Sequence, residues 1–392
     1  MTPELAADAD ALADSVRRFT LERIAPHINA WDEAGEFPRS LYREAAALGI
    51  LGLGYPEEFG GTPAPFALRH AVSIAMARYS GSGGLMASLF SLNIGLPPLL
   101  RHGSPELQRE VVPPVLRGER IAALAITEPG GGSDVAALRT TARREPGSGS
   151  GAGGGDWIID GEKVFITSGM RADWITMAVR TGDAKGAGGI SLLLVPGDAP
   201  GLSRTPLDKM GWWCSDTAHL RMDGVRVPAR YLLGEEGRGF RMVMGNFNGE
   251  RLGMSAMALG FAQACYDEAL DWARQRQAFG SALVEKQVIR HKLVDMQMRI
   301  ASTQAWLDAV TALADAGKLE SDPSCVAQVC LLKNHATQAM QFCADQAVQI
   351  LGGMGFMRGT KSERIYREVK VMMIGGGAEE IMKDLAARQL GL

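Results

Sequence analysis

From position 237 to the C-terminus, apolar residues recur at helical spacing through four long stretches, 242–276, 284–315, 325–351 and 378–390. Each is long enough to carry a continuous apolar stripe, and the links between them are short. Such segments bury their stripes by packing side by side, so the pattern predicts an antiparallel four-helix bundle. No repeat at solenoid period competes with that arrangement.

The chain before the bundle changes character twice. Residues 1 to about 118 read as helical, as in Leu41-Tyr42-Arg43-Glu44-Ala45-Ala46-Ala47-Leu48, with loops such as Tyr55-Pro56-Glu57-Glu58-Phe59-Gly60-Gly61-Thr62-Pro63 between. The first residues form an acidic amphipathic helix with Leu5, Leu12, Val16 and Phe19 on one face. From about 121 to 231, short β-prone runs alternate with Gly, Pro and Asp turns. Trp157-Ile158-Ile159-Asp160-Gly161-Glu162-Lys163 carries an Asp-Gly turn signal, and Ile190-Ser191-Leu192-Leu193-Leu194-Val195-Pro196 stops at a proline. The Gly/Ser-rich stretch 146–155 is expected to be a hairpin tip without chemistry. The expected fold is therefore α+β and multidomain. It has an N-terminal α-helical domain (1–118), a middle β-barrel domain (119–231) and a C-terminal four-helix bundle domain (232–392).

Bulk chemistry narrows the function. A net charge of −3 argues against a general polyanion binder, so no nucleic acid partner is expected. The five cysteines form no CxxC pair, and an odd count fits reduced thiols. The six histidines are scattered, so no metal is expected. The N-terminus lacks a basic, then apolar, leader, and no apolar run reaches the roughly 18–20 residues a bilayer span requires. A cytoplasmic protein with no membrane partner is the expectation.

Four segments carry the candidate chemistry. Thr127-Glu128-Pro129-Gly130-Gly131-Gly132-Ser133-Asp134 exposes backbone N–H groups beside small side chains, although alone it is equally a strand-terminating loop. Lys163-Val164-Phe165-Ile166-Thr167-Ser168-Gly169 offers an aromatic ring, and alone it reads as a buried strand Phe with a surface Thr. Arg274-Gln275-Arg276-Gln277-Ala278-Phe279-Gly280, followed by Val284-Glu285-Lys286-Gln287, sets an Arg that can clamp a pyrophosphate beside an aromatic. Gln349-Ile350-Leu351-Gly352-Gly353 contains glycines that also serve to end a helix. No Rossmann or Walker motif is present to bind a nucleotide instead.

Together, in this order, the segments resemble the acyl-CoA dehydrogenase family over essentially the whole chain. The resemblance implies FAD as cofactor and α,β-dehydrogenation of an acyl-CoA thioester. It implies that Thr127, Ser133, Phe165 and Thr167 contact the flavin, Phe165 where members often carry Trp, with Ser133 also reaching the pantetheine arm. Arg276, Phe279, Gln287, Gln349 and Gly353 would reach the FAD of a neighbouring subunit, which implies a homodimer or homotetramer. An electron-transfer flavoprotein is the implied electron acceptor. Lys209-Met210-Gly211-Trp212-Trp213-Cys214-Ser215-Asp216-Thr217 resembles a loop near the pantetheine channel. Its two Trp residues read as packing, and Cys214 is expected to be partly exposed without acting as a nucleophile.

One position departs from the family pattern. Many members carry the catalytic Glu where Lys370-Val371-Met372-Met373-Ile374-Gly375-Gly376-Gly377-Ala378-Glu379-Glu380-Ile381 has Gly376. Isovaleryl-type and long-chain-type members take the base from a helix upstream, where this chain reads Asn248-Gly249-Glu250-Arg251-Leu252. By that resemblance Glu250 is the base, Arg251 contacts CoA and Asn248 the pantetheine amide. Gly376 keeps the backbone N–H that steadies the enolate oxygen. Two other readings of the carboxylates stand beside this one. Glu250 pairs locally with Arg251 or Arg241, or Glu379 or Glu380 serves as the base although a helix N-terminus already explains both. Ala378 and Glu380 also replace family Thr and Gln.

The small residues at 375–377 leave room for a branched or bulky acyl chain. The same chemistry on an acyl group carried by the phosphopantetheine of an acyl carrier protein is the alternative substrate. A catalytically inactive flavin-binding scaffold is the alternative of another class.

Overall fold

The computed structural model describes residues 2–145, 155–184 and 186–392; the expected hairpin tip lies, apart from Gly155, outside them. The first part of the chain is helical: α1 (Pro3–Phe19), α2 (Ile28–Ala34), α3 (Ser40–Ala47), α4 (Phe66–Ser80), α5 (Gly83–Leu89), α6 (Leu92–Gly95), α7 (Pro97–His102) and α8 (Pro105–Leu116). Starts follow local chemistry. Thr2 and Ser104 cap α1 and α8 ahead of a proline in the first turn. The α4 N-terminus is capped from another domain: the Asp315 carboxylate accepts from Phe66 N (2.6 Å) and Ala67 N (3.3 Å).

The middle is a sheet of eight strands, β1 (Ala122–Ala125), β2 (Thr141–Arg144), β3 (Trp157–Thr167), β4 (Trp174–Arg180), β5 (Ile190–Pro196), β6 (Leu202–Pro206), β7 (Thr217–Val227) and β8 (Leu232–Leu233). The order is β6-β7-β3-β2-β4-β5-β8, and β1 pairs in parallel with β4. Strands β4 and β5 are buried on both faces, which explains their unbroken apolar runs, whereas β7 alternates buried and exposed. Asp160-Gly161 is not a turn. Both residues lie inside β3, where the register against β7 shifts between Ile159 and Gly161. Gly161 has φ 141°, and a Cβ there would stand 2.7 Å from Thr140 Cα, so close packing requires the glycine.

The third part opens with α9 (Gly239–Gln275), then a small hairpin of β9 (Gln277–Ala278) and β10 (Ser281–Ala282). It continues with α10 (Gln287–Asp315), α11 (Pro323–Leu351), the short α12 (Gly353–Phe356), α13 (Lys361–Ile374) and α14 (Glu379–Leu390). Helix α11 is central and packs on α9, α10, α13 and α14; α9 also packs on α4. Helix α13 lies outside the four stretches expected to be helical, although Ile365, Val369 and Met372 stand at helical spacing on its buried face; Glu363, Arg364 and Glu368 share that face.

Those charges sit where the three parts meet. Asp32 of α2 accepts from Cys214 N (3.1 Å) and Arg364 Nε (2.9 Å). Glu368 accepts from Gly83 N (2.7 Å) and Trp212 N (3.1 Å). Burial and the nearby Asp32 carboxylate push Glu368 up to about 7. Trp213 lies between the guanidinium groups of Arg367 (3.8 Å) and Arg358 (4.4 Å), a packing role. Cys214, expected to be partly exposed, is fully buried because its segment is drawn into this seam. No single described helix is long and apolar enough to cross a membrane.

Arg364→Met strands the buried Asp32 carboxylate and should destabilise the fold by about 3–5 kcal/mol. A lowered thermal midpoint would register this, and the double variant with Asp32→Asn should recover part of the loss.

Candidate active site

Helix α9 carries the candidate base on a face that meets the N-terminal part. One turn before Glu250, Asn246 Nδ2 donates to the Ile94 carbonyl of α6 (3.3 Å). On its other side α6 abuts β1: Thr176 Oγ1 donates to Gly95 O (2.7 Å), and a Cβ on Gly95 would stand 3.0 Å from Ala123 O. Residues four apart share a helix face, so Glu250 follows Asn246 on the side of α9 that meets α6. Gly249 beside it would meet Phe66 (3.9 Å) and Leu319 (4.0 Å) if it carried a Cβ.

Glu250 is half-buried. Its Oε2 is closed to solvent and has no hydrogen-bond partner among the described residues. Neither Arg251 nor Arg241 forms an ion pair with it among the described residues. Burial pushes the carboxyl up to about 7, against the pull of Arg251 and Lys333. An unpartnered carboxylate that titrates near neutrality is suited to taking a proton.

The glycine turn is anchored directly beside it. Arg251 is buried and directs Nε onto the Gly376 carbonyl (2.8 Å) and Nη1 onto Asn248 Oδ1 (3.2 Å). Asn248 Nδ2 donates to Leu319 O (3.4 Å), so both ends of its amide are engaged within the chain. Gly376 and Gly377 have φ 68° and 114°, which L side chains rarely adopt. A Cβ on Gly376 would stand 2.9 Å from Met254 Sδ; that thioether takes part of the space a side chain there would need. The N–H groups of Gly376 and Gly377 donate to nothing among the described residues.

The rival carboxylates are differently placed. Glu379 accepts from Lys383 Nζ (2.7 Å) and Gln338 Nε2 (2.9 Å), contacts that hold its carboxyl below the usual value. Glu380 is exposed in the first turn of α14.

The middle-domain candidates form a second surface. Val164 N donates to Thr127 O (2.9 Å), joining the first two motif segments. Phe165 is 68% exposed with φ 62°, at a register shift in β3. An aromatic held outward on left-handed backbone is unfavourable unless something covers it. The hydroxyls of Thr127, Ser133 and Thr167 have no hydrogen-bond partner among the described residues. Beneath them Glu128 is locked by Lys163 Nζ (2.8 Å), Arg139 N (2.6 Å) and Thr140 N (2.9 Å), a pair that fixes the loop.

The remaining candidates lie at the far end of α9 and α11. Arg276 caps α9, Phe279 is wholly exposed at the β9–β10 turn, and Gln287, Gln349 and Gly353 are exposed on the same chain. Lys333 stands outside the motif segments. Its signal was an ammonium in the apolar run Val329-Cys330-Leu331-Leu332-Lys333.

Models of the acyl-CoA dehydrogenase N-terminal, middle and C-terminal domains match residues 6–119, 123–225 and 237–391. The chain is 36% identical to the mitochondrial long-chain specific acyl-CoA dehydrogenase of Rattus norvegicus, over 98% of this chain and 86% of the relative. A probable acyl-CoA dehydrogenase from Mycobacterium abscessus superposes with TM-score 0.93 at 43% identity, covering 100% of both chains. A glutaryl-CoA dehydrogenase from Mycobacterium smegmatis in complex with FADH2 superposes with TM-score 0.86 at 26% identity, over 98% of this chain and 94% of that one.

Because its folded pKa lies above the ordinary 4.5, Glu250 makes the folded chain lose stability as pH rises from 4.5 to about 7. Glu368 titrates in the same window, so the comparison of two proteins isolates Glu250. Glu250→Gln should be the more stable by on the order of 2 kcal/mol near pH 8 and equal near pH 4. Thermal midpoints of both proteins across that range test this.

Proposed function

This chain belongs to the acyl-CoA dehydrogenase family, whose members carry out FAD-dependent dehydrogenation of acyl-CoA, and on that premise we propose that Glu250 is its catalytic base. The observation that carries the reading is the buried, unpartnered Oε2 of Glu250 next to the residue that grips the Gly376 carbonyl. The carboxylate takes the α-proton of the thioester, and the free N–H of Gly376 steadies the enolate oxygen. Glycine at 376 keeps that N–H and gives up only the carboxylate. A flavin-binding scaffold without activity would leave the desolvated, unpartnered Oε2 of Glu250 unexplained.

The residues present suit FAD. The outward Phe165 offers a flat apolar face, and the unpartnered hydroxyls of Thr127, Ser133 and Thr167 offer donors and acceptors around it. FAD, when bound, supplies the acceptor for the two electrons that leave the β-carbon. Arg276, Phe279, Gln287, Gln349 and Gly353 would hold the dinucleotide end of a neighbouring subunit's cofactor, since the wholly exposed Phe279 finds no cover in its own chain. We take the working form to be a cytoplasmic homodimer or homotetramer that passes electrons to an electron-transfer flavoprotein.

The substrate is proposed to be a CoA thioester with a branched or bulky acyl chain. Met254 fills part of the space beside Gly376, but a Cβ on Gly375 would meet only Val371 O, at 3.1 Å. A panel of straight, branched and cyclic acyl thioesters, presented on CoA and on a carrier protein, tests this by flavin bleaching. Preference for short straight chains would refute the acyl reading, and reaction only on the carrier would refute CoA.

Glu250→Gln should keep its FAD and lose about 10²–10⁴ in turnover. Turnover within a fewfold of the parent would remove Glu250 from the mechanism. Arg276→Ala should shed FAD on dialysis and elute as a smaller species in gel filtration; unchanged flavin content would contradict its assignment.

A further inference from the structure

Lys333 is fully buried in the middle of α11, yet its Nζ forms no ion pair with a carboxylate among the described residues. It donates instead to two backbone carbonyls, Met373 O (3.1 Å) in the last turn of α13 and Gly377 O (2.8 Å). Arg251 grips the intervening Gly376 O from the α9 side (2.8 Å). Two buried cations on different helices therefore hold the carbonyls that bracket Gly375-Gly376-Gly377. Burying an ammonium is expensive, and an aliphatic side chain of the same length would fill the space without that cost. Packing alone does not call for a lysine here.

The geometry gives it a task. Three consecutive glycines are the freest backbone a chain can have, and α13 ends just before them. The Gly376 N–H shares its planar peptide unit with the Gly375 carbonyl, and the units on either side are pinned: the one before through Gly375 N to Val371 O (2.7 Å), the one after through Gly376 O to Arg251, with Lys333 holding the next at Gly377 O. Resting on the reading of Glu250 as base and Gly376 as N–H donor, we infer that Lys333 is a positioning residue: by tying the Met373 and Gly377 carbonyls together it holds the glycine turn so that the Gly376 N–H is aimed at the substrate carbonyl. A cation at the α13 C-terminus also satisfies a carbonyl that the helix leaves open.

Lys333 has an electrostatic part as well. The titratable groups that face it are Glu250 and Arg251 on α9, Cys330 on its own helix and Glu379 at the start of α14, while α13 offers the Met373 carbonyl. Its charge favours the ionised form of Glu250. Without it the base should ionise at higher pH, and the rising limb of activity should move the same way.

The test uses the full-length, FAD-loaded protein and the variants Lys333→Met and Lys333→Gln. Amide hydrogen exchange across 374–378 should quicken about tenfold or more in Lys333→Met, whereas exchange in β4 and β5 stays unchanged. Its kcat should fall about 10–100-fold with KM within about threefold, and the rising pH limb should shift upward. Lys333→Gln keeps a neutral donor, so exchange should lie between the two while the pH limb still shifts. Unaltered exchange at 374–378 together with kcat within about twofold of the parent would overturn the inference. If Lys333→Met does not fold, the exchange and pH measurements on Lys333→Gln decide in the same way. Exchange is independent of the chemistry: a Glu250→Gln variant that kept its turnover would end the base reading, while the protection of the glycine turn would still report on Lys333.

Discussion

Carboxylates at the seams, Asp32 and Glu368 buried and Asp315 exposed, hold the three parts of this molecule in register. Asp32 joins α2 to a middle-domain loop and to α13; Glu368 joins α13 to the same loop and to the start of α5; Asp315 at the end of α10 caps α4. A buried carboxylate must have donors, and here they come from other domains. Asp32 and Glu368 therefore lose the donors that replace water if the domains part.

On the proposed reading of Glu250 as base, the site divides one residue's work between two places: a glutamate at 376 would bring carboxylate and N–H on one residue, whereas here the N–H remains in the glycine turn and the carboxylate stands on α9. The exchange has a structural correlate in Met254, whose sulfur occupies part of the vacated space. It also leaves the turn without a side chain of its own to anchor it. The anchors come from outside, through Arg251 and Lys333. The same two cations moderate the pKa of Glu250, so rigidity of the turn and ionisation of the acid are coupled.

Much of the architecture was legible beforehand. The helical stripes of α9, α10, α11 and α14 and the apolar run of β5 follow directly from periodicity. What periodicity misread is instructive. Asp160-Gly161 has the composition of a hairpin turn but serves as a bulge, because Thr140 packs where a side chain would be. Helix α13 has Ile365, Val369 and Met372 at helical spacing, but Glu363, Arg364 and Glu368 interrupt that stripe; Arg364 and Glu368 find partners across domain boundaries, while Glu363 pairs with Arg367 on the same helix. Cys214 was expected near the surface and is buried because its segment is drawn into the seam between domains.

By itself the sequence determined the order of helical, stranded and helical parts, the motif segments and the two carboxylate regions that compete to be the base. Those are properties of neighbouring residues, set by spacing, turn chemistry and composition. Only the tertiary structure decided which carboxylate is left unpaired: Glu379 meets Lys383 and Gln338, while Glu250 forms no ion pair among the described residues. It also decided that Arg251, Asn248 and Lys333 turn inward to hold backbone. The reason is physical: desolvation and pairing depend on what long-range packing brings to a side chain, and no local pattern records that.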